Sequence, residues 1–115
     1  MTEKTENNTI NLTTNERTQQ EITISGNPGK PIGEDGEKML RRMNESHYAV
    51  TGWALEHWKI RENDRILDIG CGGGATLKRM SEEVRDGHLT GVDYSATSLE
   101  LSVKTNAEAL QQGKM

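Results

Sequence analysis

The run Arg65-Ile66-Leu67-Asp68-Ile69-Gly70-Cys71-Gly72-Gly73-Gly74-Ala75 constrains this chain more than any other stretch. Residues 66–69 are too few for a helix and suit a short strand buried on both faces. The strand runs straight into a glycine loop, with an acidic residue, Asp68, at the junction. Glycines at this spacing let the backbone turn sharply and let a ligand approach the main chain, while the helix that follows aims its N-terminus at that ligand. The pattern predicts a nucleotide-type cofactor pocket.

The residues after the loop extend the pattern. Leu77, Met80 and Val84 fall at i, i+3 and i+7, which places them on one face of a helix over about 75–84. Asp86-Gly87 ends that helix, and residues 88–93, with Leu89, Thr90 and Val92, read as a second strand. Ser95 is placed to cap a further helix whose Leu99, Val103, Ala107 and Leu110 form its apolar stripe. Strand, helix, strand, helix implies parallel strands joined by right-handed crossovers, the opening of a Rossmann-like, doubly wound α/β sheet.

Before the strand the sequence changes character. Residues 1–21 are rich in Thr, Asn, Gln and Glu and cannot bury enough apolar surface to offset the entropy of ordering. They read as a flexible tail. The turn formers Asn27, Pro28, Gly29, Pro31, Gly33 and Gly36 argue for an irregular segment over 22–36. Met39, Leu40, Met43, His47, Val50, Ala54 and Trp58 then recur at helical steps, with Gly52 inside the pattern. Asn44 or Ser46 as a cap predicts two helices, over 37–43 and 46–58, with Trp53 and Trp58 as packing anchors. The expected units are a tail and irregular loop at 1–36, a helical extension at 37–60 and the first half of an α/β domain at 61–115.

Composition narrows the function. The 115 residues carry a net charge of −4 with no basic run, which argues against nucleic acid as a partner. The single cysteine, Cys71, excludes an internal disulfide framework, and no Cys/His grouping has metal-ligand spacing. A reducing cytoplasm is the expected compartment. No run has the length of a membrane span.

Gly70-x-Gly72-x-x-Ala75 satisfies the dinucleotide fingerprint, and Asp93 lies about twenty residues on, as that fingerprint asks. NAD is therefore one candidate. Asp68 tilts the choice, because a carboxylate two residues before the first glycine would repel a pyrophosphate, whereas it suits a ligand that is positive there. S-adenosylmethionine, with a sulfonium, an ammonium and no phosphate, has that charge pattern.

Asp68-x-Gly70-x-Gly72-x-Gly74 resembles motif I of the class I S-adenosylmethionine-dependent methyltransferases, and Gly91-Val92-Asp93-Tyr94-Ser95 resembles their next motif. The resemblance covers about residues 64–113. It implies a cofactor site formed by Asp68, Gly70, Cys71, Gly72, Gly73, Gly74, Asp93 and Tyr94. Asp93 would accept hydrogen bonds from both ribose hydroxyls, a role open to an acceptor-only carboxylate. Tyr94 would lie against the adenine, and Cys71 would matter through its backbone. The segment before residue 64 resembles the helical extension that many members fold over the cofactor, which would bring Met43, Asn44 or His47 to the pocket.

Family members have seven strands, and only two are legible here. The chain is thus expected to be the N-terminal part of a longer protein or a truncated product, inactive alone, with an unpaired edge on its first strand. The leading reading is the cofactor-binding portion of a methyltransferase acting on a small molecule, with no catalytic residue assigned. The alternatives are an NAD-binding oxidoreductase fragment and a non-catalytic fragment.

Overall fold

A computed structural model describes residues 17–115. Residues 1–16 of the tail expected over 1–21 lie outside the described residues. The described part runs α1 (Gln19–Gly26), α2 (Gly33–His57), β1 (Arg65–Ile69), α3 (Ala75–Ser81), β2 (His88–Val92), α4 (Ala96–Thr105) and α5 (Ala107–Gln111).

Helix α1 stands where the sequence predicts the end of a tail and an irregular segment. Thr18 and Glu21 form a capping box: the Thr18 hydroxyl accepts from the Glu21 amide at 3.0 Å, and the Thr18 amide donates to Glu21 Oε1 at 2.8 Å. This satisfies orphan donors at a helix start. Asn27, in the left-handed conformation at φ 60°, terminates the helix. The turn formers therefore occupy a short connection, and Gly33 and Gly36 already belong to α2.

Helix α2 is one element, not the predicted pair. Ser46 does not cap; its hydroxyl donates to the Met43 carbonyl at 3.2 Å within the helix. Gly52 does not break it either. A Cβ at that position would sit 2.5 Å from Arg79 Nη2, so the glycine makes room for the Arg79 guanidinium. Trp53 and Trp58 are not anchors: they are 61% and 51% exposed, and the Trp53 ring tilts against His57 with centroids 4.4 Å apart.

The strands pair in parallel, from Arg65 opposite His88 to Ile69 opposite Val92. On one face, Ile66 and buried Leu89 pack with Leu77, Met80 and Val84, the helical face expected from the spacing, and with Leu55 and Ile60. Helix α3 ends at Ser81, yet Val84 completes that face from the following turn. The opposite face is open: Leu67 is 58% and Ile69 77% exposed. Among the described residues β1 is thus buried on one face only, against the expectation of two.

Ser95 caps α4 as expected, accepting from the Ser98 amide at 3.1 Å. The apolar stripe is not the buried one, however. Leu99, Val103 and Leu110 are exposed, while Ser98, Leu101, Ser102 and Ala109 are buried. The buried face of α4 meets the glycine loop, with Leu101 over Gly73 and the small Ser102 where the approach at Gly74 is closest. A Cβ on Gly74 would lie 2.3 Å from Ser102 Oγ and 2.5 Å from Asn106 Nδ2. Asn106 Nδ2 in turn donates to the Gly74 carbonyl at 3.0 Å and closes α4 onto the loop.

Candidate cofactor site

The C-terminal ends of β1 and β2 bring Asp68 and Asp93 to one end of the sheet, where an open α/β sheet places its ligands. Between them runs the glycine loop. Gly70, Gly72 and Gly74 have φ of 76°, 56° and 82°, a region L side chains rarely enter. The loop is tied down by its own amides. Those of Gly70 and Cys71 both donate to the Val92 carbonyl, at 2.8 and 3.0 Å, and that of Gly74 donates to the Cys71 carbonyl at 3.0 Å. The Gly72 amide donates to Asp93 Oδ2 at 2.9 Å, and Asp93 Oδ1 accepts from the Ser95 amide at 2.9 Å.

This wiring alters the first reading of the loop. The amides of Gly70, Cys71, Gly72 and Gly74 are thus committed inside the protein, which leaves few of the loop's donors for an anion. The two carboxylates dominate instead. Burial pushes the Asp68 carboxyl above its ordinary pKa, and the Asp93 charge pushes it further. A cation at that place would relieve both effects. Space is available there, since a Cβ on Gly70 would meet nothing within 4 Å. Burial also raises the Cys71 thiol pKa, although a hydrogen bond with Ser102 opposes the shift. A protonated thiol is a poor nucleophile, which fits a backbone role for Cys71.

Helix α2 covers the loop from the other side. Met43, Asn44 and His47, the residues singled out from the sequence, line with Gly70–Gly73 a cleft of about 170 Å³. Arg79 closes that cleft, donating to the Tyr48 carbonyl at 2.7 Å with its guanidinium 3.8 Å from the centre of the Tyr48 ring. The sequence signals this latch only through Gly52, the glycine inside the helical pattern that leaves room for Arg79. A larger cleft of about 440 Å³ lies between the end of α2 and α3, among Trp58, Lys59, Glu82 and Glu83, and shares no residue with the glycine loop.

Tyr94 is 69% exposed. Its hydroxyl donates to the Gly29 carbonyl, and Lys30 Nζ stands 5.2 Å from its ring centre. Ser95, which the sequence suggests only as a cap, is fully buried beside Asp93 and donates to the Pro31 carbonyl. Among the described residues no group of three or more His, Cys, Asp or Glu converges as a metal site. No helix among them is long and apolar enough to cross a membrane.

Residues 66–114 match the family model described as a methyltransferase domain. The protein named "Putative methyltransferase YrhH" from Bacillus subtilis (strain 168) is 32% identical over 78 residues, covering 68% of this chain and 43% of that protein. The uncharacterized methyltransferase YdaC of the same organism is 30% identical over 76 residues, covering 64% and 42%. The chain thus spans less than half the length of these curated relatives. Among solved structures, geranyl diphosphate C-methyltransferase from Streptomyces coelicolor A3(2), in complex with Mg2+, geranyl diphosphate and S-adenosyl-L-homocysteine, superposes with a TM-score of 0.51 at 17% identity. The match covers 84% of this chain and 44% of that one, and it shows a shared fold.

Proposed function

We propose that this chain, whose residues 66–114 match the methyltransferase-domain family model, forms the S-adenosylmethionine-binding portion of a class I methyltransferase acting on a small molecule. One observation carries the cofactor reading: two carboxylates, Asp68 and Asp93, flank a loop in which the Gly70, Cys71, Gly72 and Gly74 amides already bond Val92, Asp93 and Cys71. Such a site favours a ligand with positive charge and hydroxyl donors. It disfavours the pyrophosphate of NAD, which two carboxylates would repel.

The residues present fit this group. Asp68 supplies negative charge beside the open flank of Gly70. Asp93 keeps lone pairs on both carboxylate oxygens beyond its two amide bonds and can accept a pair of ribose hydroxyls. The Tyr94 ring offers an apolar surface for the adenine, and the Gly70–Gly74 backbone lets the ligand lie close. S-adenosylmethionine, when bound, supplies a methyl group already activated by its sulfonium. The protein's contribution is alignment and exclusion of water, to which Met43, Asn44 and His47 on α2 add a wall. The net charge of −4 supports a small acceptor over nucleic acid, and the single cysteine supports the cytoplasm as compartment.

Isothermal titration of the chain with S-adenosylmethionine and, separately, with NAD tests the reading. Heat with the first and none with the second is expected. NAD uptake alone would revive the oxidoreductase alternative, and no heat with either would leave the non-catalytic fragment.

A further inference from the structure

The connection between α1 and α2 is fastened to the segment that carries Asp93 by bonds that span 64 or 65 residues of sequence. Three bonds make the junction. The Tyr94 hydroxyl donates to the Gly29 carbonyl, the buried Ser95 hydroxyl donates to the Pro31 carbonyl, and the Gly33 amide donates to Thr97 Oγ1 at 3.0 Å. Gly33 opens α2, so its amide is an orphan donor that Thr97 satisfies. The far end of this strap is pinned where Arg17 grips Asp35 through two bonds, of 2.5 and 2.6 Å.

We propose that the 29–33 strap positions the cofactor-binding carboxylate, with Ser95 and Thr97 as the positioning residues. Ser95 joins the two parts. Its hydroxyl holds the strap, and its amide donates to one oxygen of Asp93 while the Gly72 amide binds the other. Strap, Ser95, Asp93 and glycine loop therefore form one continuous hydrogen-bonded path. A carboxylate that must meet a diol gains from such support, because a site is effective only when its supporting groups lock its geometry. Coupling of this kind is reciprocal: a docked strap favours ligand binding, and ligand binding favours the docked strap. The inference rests on the cofactor reading for its ligand, but the hydrogen-bonded path exists without one.

The test uses the full chain with Thr97→Val, which removes the acceptor for Gly33 and touches neither Asp93 nor the Ser95 cap, and Thr97→Ser, which keeps the hydroxyl. In ligand-free protein, Thr97→Val should speed hydrogen exchange at the Gly72 and Ser95 amides by about five-fold or more, and Thr97→Ser should restore the wild-type rate. In titrations with S-adenosylhomocysteine, Thr97→Val should bind about five-fold more weakly and Thr97→Ser normally. In the wild type, the ligand should slow exchange across residues 29–36. Unchanged exchange at Gly72 and Ser95 in Thr97→Val overturns the proposal, as does wild-type affinity in that variant. If wild-type protein takes up no S-adenosylhomocysteine, the cofactor reading fails, and the ligand-free exchange alone decides whether the strap orders Asp93.

Discussion

Replacing Gly74 and Gly70 by alanine, one at a time, separates two costs that the glycine loop combines. Both residues have positive φ, 82° and 76°, so either alanine suffers backbone strain of about 1–2 kcal/mol. Their surroundings differ. A Cβ at Gly70 meets nothing within 4 Å, whereas one at Gly74 would lie 2.3 Å from Ser102 Oγ, 2.5 Å from Asn106 Nδ2 and 3.0 Å from the Ser102 Cα. The last contact is backbone and cannot be relieved by a side-chain rotation. Overpacking of this kind adds about 1–3 kcal/mol, so Gly74→Ala should destabilise by about 2–5 kcal/mol and Gly70→Ala by strain alone. Urea denaturation followed by circular dichroism measures both. The two alanines should rank oppositely in ligand binding among molecules that remain folded, because only the Gly70 methyl projects into the space assigned to the cofactor. Equal stability losses for the two variants would refute the claim that α4 is built to pack on Gly74. A Gly70→Ala protein that binds S-adenosylmethionine normally would refute the placement of the ligand.

Other consequences concern the acidic residues. Asp93→Ala should weaken S-adenosylmethionine binding by about 1.5–3 kcal/mol through loss of charged hydrogen bonds, which titration calorimetry would read; unchanged affinity contradicts the ribose role. The Arg17 guanidinium bonded to Asp35 lowers that carboxyl to about 2 from 3.8. A depressed pKa contributes stability that is present above the unfolded value and lost as pH falls from about 4 towards 2. Urea midpoints should therefore drop over that window in the wild type, and Asp35→Asn should lack this component. Asp68 has the opposite sign: its raised carboxyl pKa penalises the folded state once it is ionised. Asp68→Asn should stabilise the ligand-free chain at neutral pH, with the gain vanishing below the ordinary carboxylate range, while weakening S-adenosylmethionine binding. A neutral-pH midpoint at or below wild type would contradict this.

The strand, glycine loop and following helix were legible because each rests on local rules. Residues 66–69 form a run too short for a helix, and Leu77, Met80 and Val84 repeat at the helical period whatever surrounds them. The N-terminal half was harder to read. Thr18 and Glu21 make a capping box inside a polar run, so a composition argument hid a local signal that was present. Gly52 looked like a breaker because its reason, room for Arg79, lies 27 positions away in sequence. The exposed stripe on α4 misled for a similar cause. Helical periodicity assumes that large apolar residues face the core, but here the buried face carries Leu101 with Ser98 and Ser102, the last of them set against Gly74. At the site, the pairing of Asp68 with Asp93 could be anticipated from two motifs. The bonds that consume the loop amides, and the buried Ser95 that links Asp93 to Pro31, depend on tertiary contacts that a spacing pattern does not encode.

Cofactor held by the acidic ends of β1 and β2 against the glycine loop would perturb the backbone of those segments when it binds. Amide chemical-shift mapping of the isotopically labelled chain during titration with S-adenosylmethionine tests this placement most directly. The account predicts saturable shifts concentrated at Asp68–Gly74 and Asp93–Ser95, with smaller ones at Asn44 and His47. Shifts confined to the cleft around Trp58, Lys59, Glu82 and Glu83, or none at saturating ligand, would contradict it.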